Sequence, residues 1–151
     1  MSIEVDTNIA LRVSSPAHPM HHLALDAIRI LGQQGERLCM MPQNLYEFWV
    51  AATRPMANNG LGLTITEVAS ELTRFRRWFT ILDDLPAILP AWEQLVVLHQ
   101  VMGKNAHDAR LVAAMQVHGI NRILTFNTPD FQRYPGITAI SPYDLMAQSP
   151  A

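Results

Sequence analysis

The chain has 151 residues, 49% of them apolar and 16% charged, with a formal net charge of −2 at pH 7. This composition excludes a disordered chain, and the near-neutral charge leaves contact with a polyanion to a local basic surface or a bound cation. A single cysteine, Cys39, excludes an intramolecular disulfide.

The length is that of one compact domain, and a single domain over residues 1–151 is expected. Near the N-terminus no basic segment precedes a long apolar one, and no apolar run reaches membrane-spanning length. The expectation is a cytoplasmic protein without a membrane partner. The eleven basic residues are arginines apart from Lys104, and arginine suits bidentate contact with phosphate or carboxylate.

Ile3-Glu4-Val5 alternates apolar and polar residues and predicts a short strand, ended by Asp6-Thr7-Asn8. A strand this close to the start is expected in the middle of a sheet. Asp6 at its carboxyl end reads in two ways, as a ligand-site residue or as the cap of the next helix. Ser14-Ser15-Pro16 and Pro19 mark a turn, and His21 to Leu31 carries a helical apolar stripe that Gly32 to Gly35 ends. Leu38 to Met41 reads as a buried strand, Gln43 to Thr53 as a helix, and Asn58-Asn59-Gly60 with Gly62 as a loop. Thr64 or Thr66 caps a further helix, with acids early and Arg74, Arg76 and Arg77 at its end. Phe79 to Leu82 predicts a third strand, Ala87 to Met102 a helix, and Gly103-Lys104-Asn105 a turn. Asp108 opens a helix to His118, which Gly119 terminates. Arg122 to Thr125 is the fourth strand, Pro129 to Arg133 a short helical turn and Ile137 to Ile140 the fifth strand, and Ser141-Pro142 starts a C-terminal turn. Strands alternating with helices imply an α/β fold: a three-layer α/β/α sandwich around a central, mostly parallel, five-stranded sheet.

Four of the thirteen acids follow one topological rule. Asp6 ends the first strand, Glu47 lies early in the helix after the second, Asp108 begins a helix and Asp130 follows the fourth strand. Asn44 lies one helical turn before Glu47, on the same stripe. Several carboxylates in one pocket repel one another, and a divalent cation relieves that conflict. Oxygen ligands without cysteine suit a hard ion, Mg²⁺ or Mn²⁺, which activates water and steadies charge on a phosphoryl group.

Val5-Asp6-Thr7-Asn8, then Glu47, then His107-Asp108-Ala109, then Leu124-Thr125-x-Asn127-x-x-Asp130-Phe131 resemble, in order and spacing, the PIN domain. The likeness is greatest to the VapC-type toxins of bacterial toxin–antitoxin pairs and spans essentially the whole chain. The resemblance implies a hydrolase: an Mg²⁺- or Mn²⁺-dependent endoribonuclease that cuts RNA phosphodiester bonds. It also implies a homodimer, and a small antitoxin that occupies the active-site groove. On that resemblance Asp6, Glu47, Asp108 and Asp130 are the catalytic and metal-site acids. Thr7 or Asn8, with Thr125 and Asn127, are polar supports. Many relatives carry an aspartate where this chain has Asn127, which adds no charge. The alternative is therefore a catalytically weak PIN scaffold that binds RNA or a protein without cutting.

Other features have plainer readings. His18, His21 and His22 are expected on a solvated or subunit-contact surface rather than on zinc. His107 reads first as a capping or packing residue and second as a substrate contact. Arg74, Arg76 and Arg77 read as a solvated helix end or as contacts to RNA phosphates, and Lys104 first as a turn residue and second as a phosphate contact. Trp49, Trp78 and Trp92 read as core or dimer anchors, and Cys39 as a reduced core thiol. A phosphorylated receiver domain would need a lysine after the fifth strand, where Ser141-Pro142 stands. A haloacid-dehalogenase-like phosphatase would need an aspartate in place of Asn8.

Overall fold

The computed structural model describes residues 1–148, so the last three residues of the expected 1–151 domain lie outside it. Five strands form one sheet: β1 (Ser2–Val5), β2 (Arg37–Met40), β3 (Thr80–Ile81), β4 (Arg122–Leu124) and β5 (Thr138–Ile140). Their order is β3-β2-β1-β4-β5, and every pairing is parallel. The first strand is thus the central one. The chain lays β2 and β3 on one side of it, then crosses to lay β4 and β5 on the other. That reversal makes the carboxyl ends of β1 and β4 the topological switch point, where open α/β sheets bind ligands.

Helices cover both faces. On one, Ile3, Val5, Leu38, Met40 and Leu124 pack against α1 (Thr7–Val13), α2 (His21–Gln33), α3 (Pro42–Thr53), α4 (Ile65–Trp78) and α7 (Pro142–Gln148). On the other, Cys39, Met41 and Ile123 pack against α5 (Ile88–Leu98) and α6 (Asn105–Val117), through Leu95, Val112, Ala113 and Met115. Two short 3₁₀ turns, Met56–Asn58 and Thr128–Phe131, complete the described chain. No helix among the described residues is long and apolar enough to cross a membrane.

Local chemistry explains most boundaries. Thr64 caps α4: its hydroxyl accepts from Glu67 N–H, and the Glu67 carboxylate accepts from Thr64 N–H, each at 3.2 Å. Gly119, at φ +72°, stops α6 in a left-handed turn that a side chain would strain.

Five expectations need correction. The third strand shrinks to Thr80–Ile81, because it pairs only with β2 at the sheet edge. A helix, α1, follows directly on Asp6, and the C-terminal turn is a helix, α7. The helix expected to reach Met102 ends at Leu98, because Gln100 turns left-handed (φ +52°) and Val101 N–H bonds back to Val96 C=O at 3.0 Å. Asp108 stands in the first turn of α6 rather than opening it, since the helix begins at Asn105.

Candidate metal centre

The capping reading of Asp6 holds. It is the N-cap of α1, with Oδ1 accepting from Thr7 N–H at 2.8 Å. Its Oδ2 accepts from the Thr125 hydroxyl at 2.7 Å and from the Asn8 amide at 3.2 Å. Thr125 is fully buried just past β4, so the side-chain contact spans the switch point. The Asn8 amide also donates to Thr125 Oγ1 at 3.0 Å, and its carbonyl accepts from Phe126 N–H at 3.1 Å. Asn127 joins through its backbone, donating N–H to Thr125 Oγ1 at 3.0 Å, while the residue itself is exposed.

The second strand contributes through α3. Asn44 is buried, donating to Thr7 Oγ1 at 3.2 Å and accepting from Met41 N–H at 2.8 Å. It therefore supports the Asp6 loop rather than standing beside Glu47. Glu47 accepts from Gln43 Nε2 at 3.1 Å. Gln43 is the residue that sequence reasoning passed over. Its amide also donates to His107 C=O at 2.7 Å, and its carbonyl accepts from Arg110 at 3.0 Å, which ties α3 to α6. Nothing in the sequence marks it beyond its position one turn before Glu47.

The four acids feel one another. Burial pushes Asp6 up to about 6; the bonds from Thr125 and Thr7 oppose the rise, and the charges of Glu47 and Asp130 add to it. Asp108 also reaches about 6, through burial and then the charges of Asp6 and Asp130. Glu47 is raised by burial, opposed by Gln43's bond and assisted by the charge of Asp108. Asp130 is exposed, on the 3₁₀ turn after β4.

This donor set suits a hard divalent cation: oxygen ligands, mutual repulsion, and a shared sheet edge. Asp6, Glu47, Asp108 and Asp130 are the residues able to hold one. As placed, no three His, Cys, Asp or Glu side chains among the described residues gather closely enough to enclose an ion. Asp6 is turned onto its hydroxyl and amide donors and Glu47 onto Gln43, which is how like charges settle when protein donors compensate them.

Other candidates disperse. His18 Nδ1 accepts from Met20 N–H at 3.0 Å, and His21 Nδ1 pairs with Arg12 C=O at 3.0 Å, so these rings do not converge on zinc. Arg74 pairs with Glu71 and lies over the Trp78 ring at 4.9 Å. Trp92 donates to Ala106 C=O at 2.8 Å and fixes α5 against the start of α6. His107 is exposed, and its charge acts on both Glu47 and Asp108. Beside Glu47 runs a groove of about 520 Å³ whose lining includes Tyr46, Val50, Arg54 and His107.

No protein-family model matches the sequence, and no curated protein matches it. Solved structures do share the fold. VapBC2 from Rickettsia felis, bound to a DNA fragment from its promoter, superposes with a TM-score of 0.70 at 14% identity, over 93% of this chain and 98% of that one. VapBC-1 from nontypeable Haemophilus influenzae gives 0.69 at 15% identity, over 95% and 99%. VapC20 from Mycobacterium tuberculosis, a toxin that cleaves the sarcin–ricin loop, gives 0.59 at 18%, over 80% and 86%. At these identities the likeness is one of fold, and the fold is that of VapC-type PIN domains.

Proposed function

From that fold and its acidic edge, we propose that this chain is a divalent-cation-dependent endoribonuclease. We further propose that it is the toxin of a toxin–antitoxin pair, acting in the cytoplasm as a homodimer restrained by a small antitoxin. The observation that carries the reading is placement: Asp6, Glu47, Asp108 and Asp130 come from four separate segments, and Asp6 meets Thr125 at the switch point between β1 and β4. The sarcin–ricin loop cleavage of the Mycobacterium tuberculosis neighbour supports RNA as the substrate class. The VapBC neighbours support a small protein partner.

Asp6 and Asp108 would hold Mg²⁺ or Mn²⁺, with Glu47 as a further ligand or as the base. Bound there, such an ion lowers the pKa of a water and offsets charge developing on phosphorus. The remaining chemistry belongs to the chain. Thr125 and Asn8 hold the Asp6 carboxylate in one orientation, and Gln43 does the same for Glu47. Glu47, raised by its burial, is placed to take a proton from an attacking water. Asp130 and Asn127 orient that water from the exposed side. Along the groove, Arg54 and His107 offer positive charge to phosphates, and the exposed Tyr46 offers a ring for a base to stack on. For the homodimer, Leu89, Val97 and Leu98 leave a large part of α5 apolar and exposed. Light scattering on the purified chain tests that assembly.

The deciding experiment maps cleavage of total RNA by the native chain and by Asp6→Asn, with and without Mn²⁺. Fragments are expected only from the native chain with the cation. Cleavage in excess chelator, or by Asp6→Asn, would overturn the mechanism. RNA retained without fragments would leave the non-cleaving scaffold as the better account.

A further inference from the structure

Glu4 is an anomaly that the four-acid site does not use. It stands in the central strand and is 0% exposed. Its register partners, Cys39 on β2 and Ile123 on β4, are equally buried and face α5 and α6. Both of its carboxylate oxygens are buried without a hydrogen-bond partner, and among the described residues no other acid is in that position. Folded proteins rarely leave such a group unpaired, and an exception calls for a role, a water or an ion.

The direction of the side chain narrows the choice. Side chains alternate along extended backbone, and Asp6 continues the extension with ψ 153°. Glu4 and Asp6 therefore project to the same side, with Asp6 one step nearer the carboxyl edge. The charges that act on Glu4 are those of Asp6 and Glu47, and the backbone N–H that acts on it belongs to Met41, just past the end of β2. That N–H is already donated to Asn44 Oδ1 at 2.8 Å. Glu4 thus stands one strand step below Asp6 on the same side, with no protein donor within hydrogen-bond reach.

We propose that Glu4 is a further oxygen donor for the divalent cation of this site, offered from the sheet floor beneath Asp6 while Glu47 and Asp108 approach from the helices. This rests on the cation-site reading above. A desolvated carboxylate is a strong ligand for a hard ion, and an ion would satisfy Glu4 without a protein donor.

Isothermal titration of Mn²⁺ into the full chain tests it, using the native protein, Glu4→Gln, Glu4→Leu and Asp6→Asn, each also melted in chelator and in Mn²⁺. The expected result is that both Glu4 variants bind Mn²⁺ about 10–100-fold more weakly and lose most of the Mn²⁺-induced rise in Tm. In chelator their Tm should equal or exceed the native value, because an orphaned buried carboxyl has been removed. Unchanged Mn²⁺ affinity in the Glu4 variants, with affinity lost in Asp6→Asn, overturns this inference and leaves the site reading intact. No Mn²⁺ uptake by the native chain overturns both. Glu4 variants that melt well below the native chain in chelator would make Glu4 a structural residue and also overturn the inference.

Discussion

At the strand end, Asp6 accepts three hydrogen bonds of 3.2 Å or less, from Thr7, Asn8 and Thr125. On the helix side, Glu47 accepts from Gln43, and Asp108 is raised by burial first and then by like charges. Asp6 and Asp108 nevertheless reach the same pKa of about 6. For Asp6, burial is opposed by donated hydrogen bonds. For Asp108, burial is reinforced by two like charges and opposed by His107 and Arg133. The strand half of the site is thus organised by the protein itself. On the helix half, Glu47 has one donor and burial and like charge raise Asp108, so that half should respond more to pH and to a cation.

The largest expected break in this comparison is Asp6→Asn, which should lower RNA cleavage by more than about 100-fold, beyond the loss typical for residues that only support a ligand. Cleavage rates with Mn²⁺ measure it, and a melt in chelator should show the fold intact. Thr125→Val attacks the same half through its support. It leaves the Asn8 amide and Asn127 N–H without their shared acceptor and should cost about 1–3 kcal/mol. In a chain of this size that corresponds to roughly 2–4 °C of Tm per kcal/mol, and cleavage should fall about 10–100-fold with it.

Gln43→Ala tests the helix half. It frees Glu47 and cuts the tie from α3 to α6, with an expected loss of about tenfold in cleavage and about 1 kcal/mol in stability. A loss as large as that of Thr125→Val would erase the distinction between the halves. pH sharpens it further. Asp6 and Asp108 rise from the ordinary aspartate value of 3.8 to about 6 in the folded chain. Between those values the folded chain holds more protons than the unfolded one, so these groups cost stability as pH rises through the window, and the cost persists above it. In chelator, Asp108→Asn should therefore gain Tm over the native chain as pH rises from 4 to 7, and Mn²⁺ should cancel the gain. A gap that is flat with pH would contradict the assignment. The smallest effect expected is from Asn127→Asp, which adds a charge to the exposed rim and should tighten Mn²⁺ binding a few-fold by titration.

Much of the fold was legible in particular residues. Thr64 with Glu67, Gly119, and the apolar stripe from His21 each carry a local signal whose physics lies within a few residues. The α1 helix was not legible, because its seven residues, Thr7–Val13, are too short to display a period before Ser14-Ser15-Pro16 breaks it. The end of α5 was not legible because Gln100, unlike glycine, gives no warning of a left-handed turn. The candidate acids could be picked out by their positions after strands. Gln43 could not, because its importance comes from His107 and Arg110, 64 and 67 residues away. Glu4's burial was not legible either. Alternation in Ile3-Glu4-Val5 implies one solvated face, yet a parallel strand at the centre of a covered sheet has none.

By itself the sequence determined the alternation of strands and helices, the central place of the first strand, and the set of acids that follow strand ends. These depend on periodicity, capping and turn chemistry, which act over a few residues. Only the tertiary structure decided which donors hold each acid, that Asn127 contributes its backbone, and that Glu4 is buried without a partner. Those outcomes depend on contacts such as Thr125 with Asp6, 119 residues apart and 2.7 Å distant, and it is chain crossover and layer packing that bring such residues together.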